Sequence, residues 1–349
     1  MKRIFFFLWI GICGLMLVSC SKDQHTDPFQ TGEFPDLKGR HLVAYVAARE
    51  EVGNALLSSF CETRGCTYEY IRLSTEEILR RVTAENGKPQ ADLVLGGTVD
   101  AHIQMKQQQL SSPARSHNAA FISEHVKDAD GYWYGYEAEQ LAIAVNEERW
   151  REELKPSGIP LPQTWEDLLD PAYQGSIVMS DPKYSGTAYT FLLSLFERWG
   201  DDRAAGYLRR LNENIGALTV NGYMPAQYVS VGEYTIGINF LGDQRKLREA
   251  GFPIASIVPE DTGISVNAVS KLKHAPHGNI ADTFIDYCLS SEAAAEVLER
   301  MSYGIPTVRQ DKMERLDTAV IHREESTERH DRIIEIWDKL RSTTPRKGR

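Results

Sequence analysis

The chain has 349 residues, 42% hydrophobic and 25% charged, an ordinary globular composition with length for one large or two modest domains. Its 39 basic and 49 acidic side chains leave a net charge of -10, which argues against a nucleic-acid partner. Beyond the first twenty residues no stretch is long and apolar enough to span a bilayer.

The first element is a leader. Lys2 and Arg3 precede an apolar run from Ile4 to Val18 that closes on Ser19 and Cys20, the pattern of a secretory signal and too short for a membrane span. Leu17-Val18-Ser19-Cys20 resembles a bacterial lipobox, which predicts cleavage after residue 19, lipidation of Cys20, and a polar tether over residues 20–39. Lys2 and Arg3 leave with the leader, so the mature chain carries a net charge of -12. In an exported protein Cys61 and Cys66 could pair across the short loop between them, whereas Cys288 sits in an apolar helical stripe and reads as a small hydrophobe. The thiol spacing does not suit zinc.

The body then alternates strand and helix. HLVAYV (41–46) reads as a strand, and Val52, Ala55, Leu56 and Phe60 recur at helical spacing up to Gly65. TYEYIR (67–72) alternates like a strand, and Ser74 with Glu77 forms a capping box for a helix ending near Gly87. ADLVL (91–95) is a third strand, running into Gly96-Gly97-Thr98, which is read as opening the next helix. Further strands are expected at 141–146, 176–179, 234–239, 253–258 and 263–272, with helices at 188–199, 202–211, 279–301 and 328–341. This predicts two α/β lobes, each a mainly parallel sheet flanked by helices, with the ligand between them. The expected boundaries are 40–137 with 262–315 for the first lobe and 138–261 for the second, with a C-terminal helix and tail over 316–349.

In open α/β sheets ligands bind beyond the carboxyl ends of strands. Three loops qualify: 47–51, 96–98 and 181–187. The stretch SDPKYSGTAYTF (180–191) leads into an apolar helical stripe of Ala188, Phe191, Leu192, Leu195 and Phe196. Its first amides are unpaired donors at a positive dipole end, suited to an anion. Ser185 and Thr187 add hydroxyls, and Gly186 admits a ligand to the backbone. Gly97 and Thr98 offer a comparable mouth, and Arg49, directly after the first strand, could fork onto phosphate oxygens.

The segments AAREEVGNALLSSF, PQADLVLGGTVDAH, DGYWYGYEAEQLAIAVN, VGEYTIGINFLGDQRKLREAG and above all TWEDLLDPAYQGSI resemble the extracellular solute-binding proteins of ABC importers, in the branch with ferric-ion, phosphonate and sugar-phosphate binders. The resemblance covers roughly residues 40–310. It implies a two-lobed periplasmic-binding-protein fold that closes on its ligand, no cofactor, a membrane permease with its ATPase as partner, and a monomer. Ferric members place adjacent tyrosines after the strand equivalent to YTIGIN; here Phe240 and Leu241 stand there. That departure favours an organophosphate, phosphonate or sugar phosphate, with Asp243 able to bond a hydroxyl or amine. The ferric alternative would have to draw on Tyr132, Tyr134, Tyr136 and Tyr223, of which Tyr136 and Tyr223 are taken as candidate ligand contacts. No nucleophile elbow or metalloprotease motif marks an enzyme. A ligand-loaded receptor for a sensor is the other alternative.

Overall fold

The computed structural model describes residues 36–260, 262–316 and 326–343. The leader, Cys20, most of the tether and the tail from residue 344 lie outside the described residues.

The first half runs β1 (His41–Val46), α1 (Glu50–Arg64), β2 (Thr67–Arg72), α2 (Thr75–Glu85), β3 (Leu93–Thr98), α3 (Val99–Gln107) and a short β4 (Ser111–Ser112). After the long β5 (Tyr134–Asn146) and single-turn α4 (Glu147–Arg149) come β6 (Ile177–Ser180), α5 (Gly186–Asn214), β7 (Ile215–Thr219), α6 (Met224–Ser230), β8 (Ile236–Phe240), α7 (Leu241–Glu249) and β9 (Ile254–Ile257). The chain continues through β10 (Ile264–Leu272), α8 (Ile280–Cys288), a turn at α9 (Ser291–Ala293), β11 (Ile305–Pro306), α10 (Gln310–Met313) and α11 (Thr327–Thr343).

The strands form one curled sheet in the order β2-β1-β3-β10-β5-β8-β6-β7. Two parallel triplets, β2-β1-β3 and β8-β6-β7, are joined through antiparallel β10 and β5. β5 is the seam. Its residues 134–140 pair with β10, and Leu141 to Val145 pair with β8.

Alternation assigns side chains to two cores. In β1, Leu42, Ala44 and Val46 pack with Leu56 and Phe60 of α1 and Phe284 of α8, while Tyr45 faces Ile78, Val82 and Met105 on the other side of the sheet. In the second half Ile143 and Val145 pack with Trp165, Phe191 and Leu195, and Ala144 faces Val229 and Leu247. Each fully buried leucine, isoleucine, valine, methionine or phenylalanine among these contributes on the order of 1.5–3 kcal/mol. α11 then returns the chain to the second core, where Ile333, Trp337 and Leu340 pack, a crossing that sequence periodicity did not reveal.

Local signals explain several boundaries. Gly65 ends α1 at φ 77°, and the Ser74–Glu77 capping box starts α2. Cys61 and Cys66 are joined by a disulfide flanking that glycine, and Cys288 is buried. Two expectations are corrected. Gly96, Gly97 and Thr98 finish β3 rather than opening a helix. The helix expected over 279–301 is interrupted after Cys288, whereas the two helices expected between 188 and 211 are both present in α5, separated by the non-helical kink at Gly200 (φ 72°, ψ 167°).

Candidate functional site

Six helices begin where strands end: α1 after β1, α2 after β2, α3 after β3, α5 after β6, α6 after β7 and α7 after β8. Their first turns converge on a cavity of about 70 Å³ lined from both cores.

One side of this cleft is built from donors. Ser185 precedes α5 and Thr98 precedes α3, yet neither hydroxyl makes a capping hydrogen bond. Thr98 Oγ1 is buried with no hydrogen-bond partner, an arrangement that costs roughly 1–3 kcal/mol unless a ligand or water completes it. A Cβ on Gly186 would stand 2.1 Å from Thr98 Oγ1 and 3.1 Å from Thr75 Oγ1, so the mouths of α5, α3 and α2 touch. Gly96 and Gly97 hold φ values of 78° and 85°, and a Cβ on Gly96 would meet Ala48 N at 2.7 Å, so only glycine turns the chain there without strain.

Two guanidinium groups face these mouths. Arg49 lies at the start of α1 with its side chain 8% exposed. Its Nη2 donates to the carbonyls of Met301 and Ser302, both at 2.7 Å, and its Nε stands 3.3 Å from Asp243 Oδ1. Its Nη1 is 3.5 Å from Glu51 Oε1 and makes no hydrogen bond. Arg72, the last residue of β2, lines the same cavity, and among the described residues its guanidinium has no hydrogen-bond or ion-pair partner.

The opposite side is acidic. Glu137 and Glu139 project from β5, and Asn267 Nδ2 donates to both, at 3.2 and 3.3 Å. Asp243 accepts from Asn239 Nδ2 at 3.3 Å. Burial raises all three carboxyls. Asp243 is pushed up to about 6 against the pull of Arg49. Glu139 rises well above the usual carboxylate range through burial, reinforced by Glu137 and Asp243, and Glu137, raised by burial, rises more modestly because the hydrogen bond with Ser302, then Asn267 and Arg49, oppose it.

A carboxyl with a raised folded-state pKa holds its proton where the unfolded chain has lost it, so stability falls as pH rises from the unfolded value toward the folded one. Without ligand, Asp243 is expected to lower stability progressively as pH rises from about 4 to about 6 and to add little further change above that. Urea denaturation across the range checks this. Asp243→Asn should flatten the profile, and an unchanged slope in that variant would refute the assignment.

The cavity wall includes Arg49, Gly97, Thr98, Ser185, Thr187, Tyr223 and Asp243 from the sequence-based candidates, and Gly186 lies between two of them, against Thr98. Tyr136 is placed elsewhere: it is 1% exposed and packs in the first core, because on β5 it has the opposite parity to Glu137 and Glu139. The four tyrosines do not converge. Tyr134 donates to Ala114 O at 2.8 Å, Tyr132 packs against the first core beside Lys106, and only Tyr223 of the four lines the cleft. Sequence reasoning missed Arg72, Glu137, Glu139, Asn221, Asn267 and Ser302, and it read Ser74 only as a cap.

Residues 88–322 match the bacterial extracellular solute-binding protein family. This chain belongs to the bacterial extracellular solute-binding proteins. An uncharacterized protein of Haemophilus influenzae is 34% identical over 261 residues, 73% of this chain and 74% of that one. The iron uptake protein A2 of Synechocystis sp. is 24% identical over 277 residues, 73% of this chain and 75% of that one. The periplasmic binding protein AfuA of Actinobacillus pleuropneumoniae, solved with exogenous fructose-6-phosphate bound, superimposes with a TM-score of 0.80 at 29% identity, covering 87% of this chain and 99% of that one. As a solute-binding protein of an ABC transporter, the chain is exported and serves a membrane permease, with a small solute as ligand. Among the described residues of this solute-binding protein no helix is long and apolar enough to cross a membrane.

Proposed function

We propose that this solute-binding protein captures a small phosphate- or phosphonate-bearing solute and delivers it to its permease. The observation that carries this reading is the convergence of Arg49 and Arg72 with helix mouths whose Thr98 hydroxyl is buried and unpaired. Charge-assisted hydrogen bonds from such donors contribute roughly 1.5–3 kcal/mol each. Glu137, Glu139 and Asp243, at the other end, suit hydroxyl or amine groups, so a sugar phosphate or an aminoalkylphosphonate matches both ends of the cleft. The AfuA complex with fructose-6-phosphate supports the first of these classes.

Capture works by closure of two lobes, 40–137 with 262–315 against 138–261. β5 and the connection from β9 to β10 carry the chain between them and serve as the hinge. Cys20 holds the monomeric body to the membrane through a lipid. The ferric alternative draws on the likeness to iron uptake protein A2, but the dispersal of the tyrosines leaves it a weaker donor set.

Native mass spectrometry of the protein as purified, followed by calorimetry with fructose-6-phosphate, an aminoalkylphosphonate, inorganic phosphate and ferric citrate, tests the reading. At least one organophosphorus ligand is expected to bind, and the intact mass should carry a lipid increment on Cys20. Binding of ferric citrate alone would overturn the anion assignment, and an unlipidated mature chain would overturn the anchor.

A further inference from the structure

Away from the cleft, α2, α3 and α11 bring together three side chains that neither solute capture nor the core requires. Glu76 in the first turn of α2, Asp100 in the first turn of α3 and His330 on α11 are 5%, 3% and 7% exposed. One ligating atom from each lies within 4.8 Å of the other two. His330 Nε2 is 3.5 Å from Glu76 Oε1, and Nδ1 is 3.6 Å from Asp331 Oδ1. Neither ring nitrogen makes a hydrogen bond, and neither does Glu76 Oε1. Tyr189 packs against the imidazole with ring centroids 4.3 Å apart, which fixes its orientation.

Buried imidazoles and carboxylates are ordinarily hydrogen-bonded. Here the ring turns both nitrogens toward carboxylate oxygens at ion-pair distance, outside good hydrogen-bond geometry, where a metal ion would compete with the ring proton. We propose that Glu76, Asp100 and His330 bind one divalent transition-metal cation. One imidazole nitrogen and two carboxylate oxygens form a ligand set suited to zinc or a neighbouring first-row metal, with a fourth position left for water. Ligands about 2.0–2.2 Å from a shared zinc stand no more than about 4.4 Å apart, so small side-chain rotations close the present spacing. A cavity of about 430 Å³, lined by Glu76 and His330 together with Arg80, Lys183, Tyr184 and Ile334, gives the entry path.

The two cations beside that path are engaged elsewhere. Arg80 donates to Lys183 O at 3.0 Å and stacks over Tyr184, and Lys183 Nζ pairs with Asp338 at 2.7 Å. α2 and α3 flank the first core, whereas α11 packs on the second through Ile333, Trp337 and Leu340. The cation therefore clasps helices of one core to a helix of the other.

The test is calorimetric titration of zinc chloride into tag-free, chelator-treated protein, with cobalt(II) absorption as a second probe of coordination. One zinc per chain is expected, with Tm rising by a few degrees at saturation because only the folded chain holds the site. His330→Ala and Glu76→Gln should each weaken zinc binding at least tenfold and remove the cobalt bands, while Asp243→Asn in the cleft leaves both intact. Should His330→Ala fold poorly, Glu76→Gln decides the matter. A wild-type chain that takes up no zinc, or variants that bind it as tightly as wild type, would overturn the site and leave the cluster as a buried ion pair.

Discussion

Gly186→Val is expected to weaken solute binding by well over tenfold while leaving the chain folded. The glycine opens α5, and a Cβ there would fall 2.1 Å from Thr98 Oγ1 and 3.0 Å from Thr98 Cγ2. Thr98 is 2% exposed, so it cannot swing into solvent to make room. The strain is relieved most cheaply by moving the mouth of α5 away from those of α3 and α2, which widens the cleft and separates donors meant to meet on one anion. A tenfold loss corresponds to about 1.4 kcal/mol, and one charge-assisted hydrogen bond held out of reach exceeds that. Calorimetry with the best ligand reads the effect, and circular dichroism with urea denaturation verifies the fold. Thr98→Ala in the Gly186→Val background should relieve the strain and recover part of any lost stability, since the two positions are in contact and couple, but not the affinity to which the Thr98 hydroxyl contributes. If Gly186→Val binds as tightly as wild type, the three mouths do not form a single anion site.

The architecture was legible where structure is local. The strand at His41–Val46, the stop at Gly65 and the capping box at Ser74 all rest on neighbours a few residues away, and each stands where the sequence indicated. The helix mouth at Ser185 was legible for the same reason, because small hydroxyl residues before an apolar stripe have few other uses. Half of the cleft was not. β5 begins at Tyr134, seven residues before the strand that was expected, because YGYEAEQ mixes aromatic, small and acidic residues. Its alternation becomes visible once the two faces are known: Tyr134, Tyr136 and Ala138 pack in the first core, and Glu137 and Glu139 line the cleft. Two carboxylates at a period of two, directly after two tyrosines at the same period, were the available signal, and reading them as a strand would also have excluded Tyr136 from the site. Arg72 was passed over as the last residue of an exposed-looking strand. Asn267 and Ser302 reach the cleft only through long-range pairing, as does the contact of His330 with Glu76.

Arg49→Ala should damage stability and binding together, and a second substitution separates the two effects. The wild-type guanidinium satisfies the carbonyls of Met301 and Ser302 and stands 3.3 Å from the buried Asp243 carboxylate. Removing it leaves that carboxylate without its nearest positive charge, with only Asn239 to bond it and the more distant Arg72 to offset it. Deleting one partner of a buried ion pair typically costs about 3–5 kcal/mol, so Arg49→Ala is expected to unfold at markedly lower urea concentration, most severely near neutral pH, where the orphaned carboxyl has to ionise or keep a proton at a cost. Asp243→Asn in the same chain removes the uncompensated charge and should restore a large part of that stability. It cannot restore binding, because the anion has lost one of the two guanidinium groups facing the helix mouths, and Arg72 alone does not neutralise a doubly charged phosphate. The double variant therefore predicts a near-normal urea midpoint with affinity reduced at least a hundredfold, about 2.7 kcal/mol. If the single variant were as stable as wild type, the buried pair would not exist as described, and if the double variant bound the solute normally, the anion would sit elsewhere in the cleft.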